Sequence, residues 1–326
     1  LFGAKKSENI IFGLNATDAL NTAIKGMVKE GDHIITTSME HNSVLRPLKQ
    51  LENAGVETTI VKCNREGELN LAELNSNIKK NTRIIVTTHA SNVTGTLMPI
   101  KEIGEIAKEN NLLYIIDSAQ TAGTYKLDVS DVNVDVLTFT GHKGLMGPQG
   151  VGGFYIKEGV LLRQMREGGT GSMSESLIQP EILPDKYESG TPNTPGIAGL
   201  AAGIKFINEI GIDKIRSHEE EITSYFLKQV SEIDDIIVYG TKDVKRQAPV
   251  VALNIKNKPS TEVSFILDNQ FDIATRPGLH CAPLAHQTIG TSKQGAVRFS
   301  FGYFNTCEEI DKAITALKFI AKEECF

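Results

Sequence analysis

Leu112-Leu113-Tyr114-Ile115-Ile116-Asp117-Ser118-Ala119-Gln120 decides the reading of this chain, together with Asp135-Val136-Leu137-Thr138-Phe139-Thr140-Gly141-His142-Lys143-Gly144. Each opens as a short apolar run, which predicts strands over 112–116 and 135–140. Each ends in residues that can carry chemistry. Strands apolar on both faces belong to a mainly parallel sheet covered by helices. In such a sheet, ligands bind beyond the carboxyl ends of the strands.

The pattern extends upstream. Leu20, Ala23, Ile24 and Met27 recur at helical spacing, predicting a helix over 18–29. Strands follow at 33–37, 58–62 and 83–88, alternating with helices at 44–53, 71–79 and 100–110. Residues 9–13 read as a strand and 1–4 as the tail of a helix. The missing initiator Met leads us to expect further residues before Leu1. The Gly-rich stretches 141–153 and 168–171 read as loops. Beyond about residue 205 the texture changes to long helices (214–233, 306–321) and strands at 250–255, 272–275 and 296–301. We therefore expect a large α/β domain over 1–205 and a smaller α+β domain over 206–326, joined by a helix over 195–210.

A length of 326 residues exceeds the roughly 250–300 at which one core usually divides. With 40% hydrophobic and 23% charged residues, the composition is that of a globular chain, which excludes disorder as the main state. No apolar run approaches the roughly 20 residues needed to span a bilayer. Lys+Arg 34 against Asp+Glu 40 gives a net charge of −6, so neither a membrane surface nor nucleic acid is an expected partner. Cys63, Cys281, Cys307 and Cys325 are scattered, without a C-x-x-C pair. They read as free thiols in a reducing, cytoplasmic compartment, and no signal peptide is visible.

Lys143 stands just past a strand, flanked by glycines that let a ligand approach the backbone. By itself it is an ordinary turn lysine; with suitable companions it is a Schiff-base lysine. Asp117, at the end of another strand, either caps the next element or pairs with a protonated pyridine nitrogen. These are the two protein groups that pyridoxal phosphate needs. Asn15-Ala16-Thr17-Asp18 precedes a helix and offers an N-cap or a phosphate site. Thr140 and His142 bracket the lysine and reach the same region. His41 can lie against an aromatic ring, and Asn92 can donate to the cofactor's phenolic oxygen or simply form a turn before Gly95. Cys281 sits in the loop Arg276-Pro277-Gly278-Leu279-His280-Cys281, where Arg276 and His280 favour a thiolate. His280, Cys281 and His286 as metal ligands lack an apparent fourth partner, so no metal is assigned. Arg298 lies in an apolar strand and needs an anion: a substrate carboxylate or a structural Asp or Glu.

Taken in order, these segments resemble the class V aminotransferase family, in its cysteine desulfurase and selenocysteine lyase branch. The resemblance rests on Asn15-Ala16-Thr17-Asp18, Glu40-His41-Asn42, Ser91-Asn92-Val93-Thr94-Gly95, Asp117-Ser118-Ala119-Gln120, Thr140-Gly141-His142-Lys143, Gly190-Thr191-Pro192-Asn193, the Arg276–Ala282 loop and Val297-Arg298-Phe299-Ser300. It covers essentially the whole chain. The short loop, with His280 before Cys281, is similar to the Suf-like branch, whose sulfur serves iron–sulfur cluster assembly.

The resemblance implies the fold of type-I pyridoxal phosphate enzymes and a homodimer with sites at its interface. It gives Lys143 as the Schiff-base lysine, Asp117 as the pyridine partner, and Gln120 and Asn92 at the phenolic oxygen. His41 is implied to stack on the ring and to act in catalysis. Ala16, Thr17, Thr140 and His142 are implied at the phosphate, with Thr191 supplied by the other subunit. Arg298, assisted by Arg276, is implied to bind the substrate carboxylate, and Cys281 to accept sulfur. The implied reaction converts L-cysteine to L-alanine, leaving a persulfide on Cys281 for an acceptor protein. Selenocysteine lyase, or an aminotransferase or other lyase with Cys281 a bystander, are the alternatives.

Overall fold

The computed structural model describes residues 1–322. Strand β1 (Ile10–Gly13) is followed by α1 (Ala16–Met27), β2 (His33–Thr37), α2 (Asn42–Glu52), β3 (Glu57–Val61) and α3 (Leu71–Ser76). Next come β4 (Thr82–Thr88), α4 (Ile100–Glu109), β5 (Leu113–Asp117), β6 (Val136–Thr140) and β7 (Gly152–Ile156). These strands form one seven-stranded sheet, ordered β1-β7-β6-β5-β4-β2-β3. From β6 to β3 every pairing is parallel, whereas β7 pairs antiparallel with both β6 and β1.

The continuous apolar runs serve both faces. Ile34, Ile84, Ile115 and Val136 join one buried cluster with Leu20, Ala23 and Ile24 of α1. Their neighbours Ile35, Ile85, Ile116 and Leu137 join a second cluster with Ile103 of α4. This alternation follows from the two-residue period of a strand. Both faces are dry, so the strand ends are left as the place for polar groups.

Downstream lie α5 (Thr194–Ile210), α6 (Ile212–Val230), β8 (Ile236–Tyr239), β9 (Val250–Ile255), α7 (Ser260–Phe271), α8 (Pro283–Thr288), β10 (Val297–Ser300) and α9 (Cys307–Lys322). Strands β10, β9 and β8 form a separate antiparallel sheet. Phe226, Leu253, Val263, Phe299 and Leu317 pack in a third apolar cluster beneath it. Among the described residues no helix is long and apolar enough to cross a membrane.

Several expectations are corrected. Residues 1–4 are not helical; Phe2 is buried there against Phe139, with ring centroids 5.5 Å apart. Residues 272–275 are not a strand. Asp272 adopts a left-handed conformation that ends α7, and only Arg276 forms a bridge, to Arg298. Strands β7 and β8 were not anticipated. The stretch 141–153 reads as loop because of its glycines, yet Gly152 and Gly153 begin a buried strand. A Cβ on Gly153 would lie 2.0 Å from the Ile11 carbonyl oxygen, so close strand approach accounts for that glycine. Cys325 lies outside the described residues.

Candidate active site

Four parallel strands deliver their polar ends to one side. Asp117 closes β5, Thr140 closes β6 with His142 and Lys143 in the turn beyond, and His41 and Asn92 follow β2 and β4. Together with Asn15, Ala16, Thr17, Ser43, Gln120 and Arg276, they line a cavity of about 290 Å³. A neighbouring cavity of about 400 Å³ shares His41, Asn92, Gln120, Lys143 and Arg276 with it, and adds Arg298. Lys143 stands at this shared wall.

Electrostatics follow from depth. Lys143 reaches solvent through the cavity, but burial lowers its pKa; the Asp117 charge opposes the shift, and Arg298 and Arg276 add to it. Asp117 is raised by burial, against the Ala119 N–H that donates to its Oδ1 at 2.9 Å and the nearby Lys143. An amine that gives up its proton more readily thus faces a carboxyl that holds its own more tightly.

His41 is the N-cap of α2. Its Nδ1 accepts from the Ser43 N–H at 3.0 Å, so a neutral His41 carries its proton on Nε2. Burial, then Lys143, Arg276, Arg46 and Arg298, push it down to about 4. Ser43 Oγ is 2.8 Å from that Nδ1 and 2.7 Å from Thr17 Oγ1, linking the two cavity walls. Asn15 caps α1 by accepting from the Asp18 N–H, and Ala16 and Thr17 open into the cavity.

Beneath His41 lies Glu40, fully buried. Thr37 Oγ1 donates to its Oε1 at 2.6 Å, and the Thr88 N–H donates to its Oε2 at 2.8 Å. It ties the end of β2 to the end of β4. Burial pushes it up to about 8. Sequence reasoning assigned no role to Glu40 or Ser43. The signal for both was their place beside His41 at the start of a helix.

Asn92 does more than expected. Its Nδ2 donates to the His280 carbonyl at 2.8 Å, while its buried Oδ1 has no partner. Arg298 Nη1 donates to the Asn92 carbonyl at 3.0 Å, and Arg298 Nε is buried and unpartnered. Among the described residues neither Arg276 nor Arg298 makes an ion pair, so the structural Asp or Glu considered for Arg298 is not present. Burial, reinforced by Arg276, pulls Arg298 down to about 10. Two guanidinium groups without a protein anion form a ready anion site.

Cys281 is exposed and lines neither cavity. Arg276 Nη2 donates to its Sγ at 3.4 Å, and Arg276 itself lines both cavities. His280, the other expected neighbour of the thiol, turns away: its ring contacts the Arg276 carbonyl and His286. Burial pushes it down to about 4, so it brings no positive charge to Cys281. Among the described residues no group of three or more His, Cys, Asp and Glu is arranged to hold a metal ion. Thr191 is exposed and not in this site; it lines a separate cavity with Gly150, Arg166 and Asn193.

The profile of the Aminotransferase class-V family matches residues 1–313. A probable cysteine desulfurase of Methanothermobacter thermautotrophicus is 36% identical over 321 residues, covering 97% of this chain and 80% of that protein. A cysteine desulfurase of Salmonella agona is 33% identical over 324 residues, covering 96% of this chain and 78% of its own. The solved structure of a cysteine desulfurase from Thermococcus onnurineus superposes with a TM-score of 0.93 at 32% identity, covering 98% of this chain and 81% of that one. With the strand-end cavity, the lysine and aspartate inside it and the match across almost the whole sequence, the chain belongs to the class-V aminotransferase family.

Proposed function

We propose that this chain is a pyridoxal phosphate-dependent cysteine desulfurase, converting L-cysteine to L-alanine and taking the sulfur as a persulfide on Cys281. The observation that carries the reading is Arg276: it stands at the wall shared by the two cavities and hydrogen-bonds the Cys281 thiol.

The donor set fits the cofactor. A lysine and an aspartate face each other within one cavity, a helix N-terminus opens beside Thr17, Thr140 and His142, and Asn92 Nδ2 keeps one N–H beyond the one it gives to the His280 carbonyl. When bound, pyridoxal phosphate supplies an electron sink for the substrate carbon next to the amine. Lys143 would hold it covalently, Asp117 its pyridine nitrogen, Gln120 and Asn92 its phenolic oxygen, and His41 its ring face. Ala16, Thr17, Thr140 and His142 would hold the phosphate, with Thr191 of the partner subunit.

The chain's own residues then divide the work. Arg298, seconded by Arg276, binds the substrate carboxylate. Lys143, whose amine burial makes easier to deprotonate, takes the Cα proton at Nζ. Cys281 attacks the substrate sulfur as a thiolate: the Sγ–S bond forms and the C–S bond breaks. The bonding pair leaves with the substrate carbon, which is protonated to give alanine. The products balance as enzyme persulfide plus alanine. The exposure of Cys281 suits onward transfer to a sulfur-acceptor protein, for iron–sulfur cluster assembly among other uses.

The homodimer belongs to the same proposal. Leu161, Leu177 and Ile178 are exposed at 74%, 104% and 79%, apolar side chains that a second copy would cover. The division into units 1–205 and 206–326 is supported by the separate sheets. The free thiols of Cys63, Cys281 and Cys307 suit a reducing cytoplasm. L-Selenocysteine presents the same amine and carboxylate and is the comparison substrate.

The test is a product assay with L-cysteine and added pyridoxal phosphate, followed by borohydride reduction and peptide mapping. The reading expects alanine and a pyridoxyl label on Lys143. Keto-acid formation instead of alanine, or a label on another lysine, contradicts it.

A further inference from the structure

His280 and Cys281 are consecutive non-glycine residues in the left-handed region, with φ of 52° and 58°. Such a pair is strained and persists only where its surroundings hold it. Two backbone clamps come from the large-sheet side. The Asn42 N–H donates to the Cys281 carbonyl at 2.7 Å, and Asn92 Nδ2 donates to the His280 carbonyl. A third restraint comes from behind the loop.

There, three buried side chains run in a line. His280 Nε2 is 2.8 Å from the Arg276 carbonyl oxygen, His280 Nδ1 is 3.0 Å from His286 Nε2, and His286 Nδ1 is 2.6 Å from Thr291 Oγ1. His280, His286 and Thr291 are 2%, 0% and 1% exposed, so the network is shut off from bulk solvent. The carbonyl can only accept, so His280 carries its proton on Nε2. Neutral His280 then accepts at Nδ1, which requires His286 to donate from Nε2. His286 in turn accepts at Nδ1, and the Thr291 hydroxyl must donate. Every bond points toward Arg276. Burial keeps both imidazoles neutral, each pushed down to about 4.

The receiving carbonyl also accepts the Arg298 N–H at 2.9 Å, in the bridge that sets both arginines side by side. Fixing it fixes the first residue of the Arg276–Cys281 loop. The chain of donors therefore bears on where the Arg276 guanidinium meets Sγ.

We propose that Thr291 and His286 are positioning residues for the Cys281 thiol, holding His280 in the one tautomer that ties the loop to Arg276. Its effect on turnover rests on the reading of Cys281 as the sulfur acceptor; its effect on the thiol does not. Loss of the Thr291 hydroxyl leaves His286 Nδ1 buried without a donor. If His286 moves its proton to Nδ1, two ring nitrogens without hydrogens face each other and the line breaks.

The experiment compares Thr291→Val with Thr291→Ser in the cofactor-loaded full chain. Without substrate, the rate of Cys281 alkylation by iodoacetamide is read by peptide mass spectrometry; with L-cysteine, kcat and KM for alanine are measured. We expect Thr291→Val to change the alkylation rate and lower kcat, each about fivefold, with KM and the cofactor absorbance unchanged, since one buried hydrogen bond is lost. Thr291→Ser, which keeps the hydroxyl, restores both. Wild-type alkylation in Thr291→Val, or no restoration by Thr291→Ser, overturns the proposal. Imidazole 15N spectra of the unaltered protein test the same line without a variant: both His280 and His286 should be protonated on Nε2, and an Nδ1 proton on either overturns it. Undiminished turnover in Cys281→Ala would defeat the desulfurase mechanism alone, leaving alkylation and spectra to judge the positioning role.

Discussion

The cavity at the strand ends and the loop that carries Cys281 are held by different means. The cavity is made by backbone order: parallel strands end together, and whatever follows Thr37, Thr88, Asp117 and Thr140 faces one space. Behind the Cys281 loop there is only a short antiparallel pairing, of Arg276 with Arg298 and of Gly278 with Ala296. The His280-Cys281 turn beyond that pairing is held by the Asn42 N–H and by side chains from distant parts of the chain, Asn92 and His286 among them. The first arrangement tolerates changes that spare the strands; the second depends on individual hydrogen bonds.

The largest effect should come from breaking the cavity at its centre. Lys143→Ala removes both the covalent anchor and the proton-moving amine, and should lower alanine formation by about 10³-fold or more. The alkylation rate of Cys281 should stay within about twofold of wild type, since the loop is braced separately. A joint loss of turnover and thiol reactivity would show that the two regions are not separable in this way.

Arg298→Gln tests the join between them. Its guanidinium has no protein anion and forms one wall of the second cavity. Losing a charge-assisted contact of about 2–3 kcal/mol should lower kcat/KM for L-cysteine by about 10²-fold, with the cofactor band intact. Loss of the band would place Arg298 with the cofactor rather than the substrate.

A smaller effect should appear in stability against pH. His41, His89, His280 and His286, each pushed down from 6.5 to about 4, stay neutral in the fold where the unfolded chain takes up protons. Stability should therefore fall as pH drops below 6.5. Glu40 and Glu219, each pushed up to about 8, hold protons that the unfolded chain releases above 4.5, and Asp117 is raised in the same sense. They make stability fall as pH rises toward 8. Between 4.5 and 6.5 the four histidines outweigh the two glutamates, so the melting temperature should peak near pH 6.5. A curve that rises steadily from pH 6.5 to 8 would contradict these assignments.

The same contrast explains what was legible in the sequence. The strand-end residues were readable because apolar runs announce their own ends, as in Ile115-Ile116-Asp117. Strand β7 was not, because Gly152-Gly153 looks like a loop until the neighbouring Ile11 backbone is seen. Strand β8 does carry an apolar signal in Ile236-Ile237-Val238-Tyr239, but it is four residues long and close behind a long helix, where periodicity alone does not separate strand from helix. The second duty of Asn92 depends on a residue 188 positions away, which no local pattern announces. His280 was read as a neighbour of the thiol from adjacency alone; the left-handed backbone turns its ring toward His286. Thr191 is a different case, since its proposed role needs a second copy of the chain.

The central claim is that Cys281 takes sulfur from cysteine. The most direct measurement is mass spectrometry of the cofactor-loaded protein after incubation with L-cysteine, beside turnover of Cys281→Ala. We expect a sulfur adduct on the peptide that carries Cys281, with alanine production strongly reduced in Cys281→Ala while its cofactor band is unchanged. An adduct on Cys63, Cys307 or Cys325, or undiminished alanine production by Cys281→Ala, would contradict it.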